Sequence, residues 1–149
     1  MKKNNNRNIP IELSYYRLTL LSYLKESHPH LASDTEFIKT RADEATETYS
    51  NAIKDGLSHP EAEELANLTL FRDLLFSRYD TIINVLWNEF SGIVPQSQAK
   101  VYAERILSQC ELIFLQYPLS DEFTDSPEYD SLYTELTGFI SLWLEENEL

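Results

Sequence analysis

Residues 33–61, "SDTEFIKTRADEATETYSNAIKDGLSHPE", decide the fold class, because they spell out one whole helix and the start of another. Ser33 with Glu36 three residues later is the capping-box pattern, in which the two residues satisfy each other's backbone N–H groups. Apolar positions then fall at Ile38, Ala42, Ala45, Tyr49 and Ala52, the three-and-four spacing of one helix face. Gly56 offers the left-handed residue that closes such a helix. Ser58 with Glu61 repeats the capping signal for the next one.

Working outward, the same period runs through most of the chain. A first helix is expected after Pro10, with Leu13, Tyr16, Leu20 and Leu24 on one face. The helix opened by Ser58 shows Ala62, Leu65 and Thr69, and its end is lost in "LTLFRDLLF" (68–76), which is apolar almost all round and reads as centrally buried. A fourth helix stacks Ile82, Leu86 and Phe90 and stops at "SGIVP" (91–95). The fifth carries Ala99, Tyr102 or Ala103, Ile106, Cys110 and Ile113 or Phe114, and ends at Tyr117-Pro118. Ser126 caps the sixth, with Pro127 at its first position and Tyr129, Tyr133, Leu136, Ile140 and Trp143 inward. Gly138 mid-helix points to a close helix crossing. With three glycines in 149 residues, little is left for β-turns. The expectation is an all-α chain of about six helices in a compact bundle: a disordered tail over 1–8, then a single domain over 9–149, with a lobe boundary possible near 91–95.

Composition narrows the function. The chain has 42% hydrophobic residues and one cysteine, enough apolar material for a core and no intrachain disulfide. "MKKNNNRNIP" has the charges of a signal peptide without its apolar region, and no run reaches a membrane span, so a cytoplasmic protein is expected. Net charge is −13, and the 44 residues after Arg105 hold ten acids and no Lys or Arg. Such a field disfavours nucleic acid and anionic lipid. "QAKVYAERIL" (98–107) offers only Lys100 and Arg105 to a DNA backbone, too little for a reader. An acidic decoy for a DNA-binding protein fits the charge better.

Catalytic patterns are missing. Gly56, Gly92 and Gly138 lie too far apart for a phosphate loop, and no G-x-S-x-G elbow occurs. "YLKESHPHLAS" (23–33) sets His28 and His30 around Pro29; with His59 and a carboxylate such as Asp34 they are weak metal candidates. Pro29 more simply ends the first helix, and paired E-x-x-H spacing is absent. Cys110 lies on an apolar stripe and reads as core filler. Asp43-Glu44 with Glu47, Glu61 with Glu63-Glu64, and Asp121-Glu122 read as wet helix faces. Tyr15, Tyr16 and Tyr23 crowd the first helix beyond what one buried stripe needs, and tyrosine is enriched at interaction surfaces.

The runs "RNIPIELSYYRLTLLSYLKESHPHLASDTEFI", "ADEATETYSNAIKDGLSHPEAEELAN", "LWNEF", "YPLSDEF" and "YTELTGFISLWLEENEL" resemble a Bacteroides/Porphyromonas-type family filed as a domain of unknown function. The resemblance spans nearly the whole chain. It implies a short, acidic, all-helical cytoplasmic protein associated with conjugative mobile elements, and carries no activity, cofactor or catalytic residue. The leading expectation is therefore a non-enzymatic accessory protein with an unidentified protein partner, no cofactor, no nucleic acid and no membrane, with a homodimer open. The alternatives are an acidic DNA-mimic-like inhibitor and an enzyme with a carboxylate or histidine site.

Overall fold

The computed structural model describes residues 11–147. The tail expected at 1–8 and the helix start at Pro10 lie outside those residues. Among the described residues there are seven α-helices and no strand, and no helix is long and apolar enough to cross a membrane. The chain divides into two compact units, one ending at Arg72 and the other beginning at Asp73. "SGIVP" is a turn within the second.

Unit 1 consists of α1 (Ile11–Ser27), a 3₁₀ turn (Pro29–Leu31), α2 (Thr35–Lys54) and α3 (His59–Leu70). α1 stops at Ser27 and Pro29 opens the 3₁₀ turn, so the His-Pro-His run is a helix stop. The cap of α2 is Asp34, whose carboxylate accepts from the Phe37 N–H at 3.0 Å; the expected Ser33–Glu36 box is displaced by one residue. At its far end Gly56 has φ +95°. Gly56 N–H donates to Ile53 O and Leu57 N–H to Ala52 O, the paired bonds of a Schellman closure. The Ser58–Glu61 capping box forms as read. α2 packs on both α1 and α3; Ala42, Ala45 and Ala52 of α2 and Ala62 and Ala66 of α3 are all buried, and such small side chains let helix axes approach. Leu65, expected on the inner face, is exposed; the buried stripe of α3 is Ala62, Ala66 and Leu70. Its C-terminus is closed by Arg41, whose Nη1 donates to Leu70 O (3.1 Å) and Arg72 O (2.7 Å).

The expected central burial of 68–76 is not what forms. α3 ends at Leu70, Leu68 and Leu75 are exposed, and only Leu70, Leu74 and Phe76 are buried. Asp73 sits in the left-handed region at φ +66°, and the Asp121 carboxylate accepts from the Asp73 and Leu75 N–H groups at 2.9 and 3.0 Å.

Unit 2 holds α4 (Arg78–Glu89), α5 (Ala99–Leu107), α6 (Glu111–Phe114) and α7 (Glu128–Glu146). The fifth expected helix is thus two, broken at 108–110, yet Ala99, Ala103, Ile106, Cys110 and Phe114 are all buried. Phe76, Phe114 and Phe123 meet edge to face, with centroids 5.3 Å apart for Phe76–Phe123. Leu132, Leu136, Ile140 and Trp143 of α7 complete this core. Ser126 does not cap α7; its hydroxyl donates to Phe123 O, and the N-cap is Pro127. A Cβ at Gly138 would meet nothing within 4 Å, so there is no close crossing there.

Candidate functional site

α1 is apolar around most of its circumference, which a single buried stripe does not need. Tyr16, Leu20 and Leu24 face the core of unit 1. Tyr16, offered by sequence as part of an interaction surface, is only 1% exposed, and its hydroxyl donates to Glu63 at 3.3 Å. Burial, helped by the Glu63 charge, pushes that phenol well above its ordinary range. Tyr15 points outward at 53% exposed and Leu18 at 68%. Tyr23 is half-buried, edge to face with Phe71 at 5.0 Å and 5.8 Å from the His28 ring.

These outward residues line concavities. One, about 630 Å³, is bounded by Tyr15, Leu18, Tyr23, Glu26 and Phe71. The other, about 360 Å³, lies on the opposite side of Leu18 against Arg17, Leu21, Ala32, Ile38 and Lys39. Arg17 brings an irregularity: its Nε is buried without a hydrogen-bond acceptor among the described residues. A buried unpaired donor costs about 1–3 kcal/mol, so a structure retaining one calls for an explanation.

The other sequence candidates have structural occupations. His28 is buried and His30 exposed, with ring centroids 6.2 Å apart. His59 pairs through Nδ1 with the Tyr49 hydroxyl. No group of three His, Cys, Asp or Glu placed to share a metal ion occurs among the described residues, so His28, His30 and His59 are not brought together as ligands. Lys39 reaches Asp43 at 3.5 Å, and Glu44 takes Arg41 (3.6 Å) and Arg72 (3.4 Å). Glu61 serves the capping box, whose hydrogen bonds from Ser58 hold its carboxyl below the usual range. Asp121 anchors the start of unit 2. Cys110 is fully buried, and burial pushes its thiol up to about 12, which leaves almost no thiolate at neutral pH.

The sequence pointed to α1 but not to the residues that shape its face. Leu18, Phe71 and Ile38 were missed; only the apolar surplus on α1 was there to find them. No reading of spacing would have shown that Arg17 keeps an unpaired Nε.

The comparisons with known proteins match this fold. No curated protein matches the chain. Among solved structures, the chain is similar to protein PG0816 from Porphyromonas gingivalis. The two share 44% identity over 93% of this chain and 94% of that one, with a TM-score of 0.89. The family described as Domain of unknown function (DUF1896) matches residues 8–149, and the chain belongs to that family.

Proposed function

We propose that this is a non-enzymatic interaction protein that receives a protein partner on the outward face of α1, as an accessory to a conjugative mobile element in the cytoplasm. The observation that carries the reading is Leu18. It is an aliphatic side chain 68% exposed on a helix flanked by two apolar concavities, and such patches mark recognition surfaces. Tyr15 and Tyr23 add rigid, amphipathic contact area beside it. The mobile-element setting draws on the family resemblance.

A second reading, the acidic DNA-mimic-like inhibitor, draws on unit 2. Of the 13 acids described from Asp73 onward, all but Asp80 and Asp121 are exposed, whereas that unit has only Arg78, Lys100 and Arg105 as bases.

Capture from cells carrying the native element tests both. Leu18→Glu and Tyr15→Ala are expected to reduce recovery of one stoichiometric partner by about tenfold or more, the scale of a central interface residue, with helical circular dichroism unchanged. Recovery unaffected by either substitution contradicts the α1 reading. Recovery abolished by duplex DNA competitor and by moderate salt moves the assignment to the acidic unit.

A further inference from the structure

The two concavities beside Leu18 differ in charge. The larger has Glu26 as its only ionised lining residue, while the smaller has Arg17 and Lys39. In a chain of net charge −13, a hollow lined by two cations and no acid is an exception. Its remaining walls are Leu18, Leu21, Ala32, Ile38 and Thr35. A volume of about 360 Å³ falls in the roughly 300–1,000 Å³ span of small-molecule sites, which are mostly apolar with a few placed polar groups.

Both cations have capacity to spare. Arg17 Nε has no acceptor among the described residues and is itself buried; the guanidinium to which it belongs suits a planar carboxylate. Among the described residues Lys39 is engaged by Asp43 at 3.5 Å, in a largely exposed pair whose net worth is small and which leaves the ammonium other N–H groups to donate. Asp34, adjacent to this hollow in sequence, is committed to the Phe37 N–H. Thr35 is the first residue of α2, so the positive end of that helix lies at the same edge.

We propose that this hollow binds a short aliphatic carboxylate. Its chain lies along Leu18, Leu21, Ala32 and Ile38, and its carboxylate accepts from the Arg17 guanidinium beside Lys39. The carboxylate is favoured over a dianion because Lys39 already shares its charge with Asp43, leaving close to one net positive charge to be matched. The apolar walls require the tail. The hollow shares Leu18 with the surface proposed for the partner, so a seated partner would compete with the carboxylate. Titration of the chain alone and capture of the partner still report on the two readings separately, and either can fail alone.

The test is a titration of the full chain, isotopically labelled, with octanoate, 1-octanol and octylamine below micelle-forming concentrations, followed by amide chemical shifts. Octanoate is expected to give saturable shifts confined to residues 17–21 and 32–39, with octanol weaker by about tenfold and octylamine giving none there. Arg17→Met, which keeps an aliphatic stem, is expected to lower octanoate affinity by about tenfold and leave octanol unchanged. Equal binding of all three probes, shifts elsewhere, or no shifts with octanoate would overturn the proposal. The comparison among probes on the native chain decides it even where Arg17→Met fails to fold.

Discussion

Unit 1 and unit 2 are both helical, but they are specified by different means. In unit 1 the helices α2 and α3 are long and well terminated: Asp34 caps one, Gly56 closes it, and Ser58 with Glu61 starts the next. Five of the eight residues buried along α2 and α3 are alanine, so comparatively little apolar volume holds them and backbone geometry matters correspondingly more. In unit 2, Ser77 caps α4, but the short α5 and α6 and the 19-residue α7 have no side-chain N-cap bond. Short helices such as α5 and α6 are marginal alone; here the Phe76, Phe114 and Phe123 cluster and the α7 stripe supply the order. Local chemistry writes the first unit, and tertiary packing writes the second.

The outer surfaces differ in the same sense. Unit 2 exposes eleven of its thirteen described acids, together with apolar residues such as Leu112 on α6 and Leu115 just after it, 77% and 73% exposed. Unit 1 is close to charge balance up to Arg72, with nine Lys and Arg against eleven Asp and Glu. Its exposed Tyr15 and Leu18 border hollows, and one of those hollows is cationic. A nearly neutral, concave, apolar face is what a specific ligand needs. An acidic one serves solubility or long-range steering.

The largest expected effect breaks the packing side of that contrast. Phe123→Ala removes a ring that touches Phe76, Tyr117 and Tyr129 and is expected to cost about 3–5 kcal/mol, read by chemical denaturation. A loss under about 1 kcal/mol would mean that unit 2 does not depend on its aromatic cluster. A smaller effect sharpens the local side. Ser58→Ala removes the side-chain half of the capping box, the hydroxyl that accepts from the Glu61 N–H, while the backbone N–H of residue 58 can still donate to Glu61. It is expected to cost about 1 kcal/mol, visible as a lower denaturation midpoint at unchanged slope. An unchanged midpoint would show that the cap is ornamental.

That contrast explains what the sequence could tell. α2, Gly56 and the start of α3 were readable because their signals are confined to a few neighbouring residues. The one slip there, Ser33 for Asp34, arose because two capping residues stand side by side and only the path of the preceding 3₁₀ turn selects between them. Leu65 was placed inward because leucine outweighs alanine in any hydrophobic pattern, yet alanine is what the close α2–α3 packing accepts. In unit 2 the stripe from Ala99 to Phe114 was read correctly as buried and wrongly as one helix, since periodicity reports which side faces the core and not whether the backbone ladder is continuous. At Ser126-Pro127 the dipeptide predicted a cap, but the serine hydroxyl is taken by Phe123 O. Gly138 looked like a packing contact and stands in open space. The α1 face was half readable. Its surplus of tyrosine and leucine lies in the sequence, whereas the hollows need Phe71 and Ile38 to be brought beside it by the folding of unit 1.

The most direct measurement is photo-crosslinking inside cells that carry the native element, with a photoreactive side chain placed at Leu18 of unit 1 or at Leu112 of unit 2. Both positions are highly exposed leucines, so exposure alone does not distinguish them. The account predicts one discrete protein adduct from position 18 and none of that mass from position 112. The same adduct from both positions, or an adduct from position 112 alone, would contradict the assignment of recognition to α1.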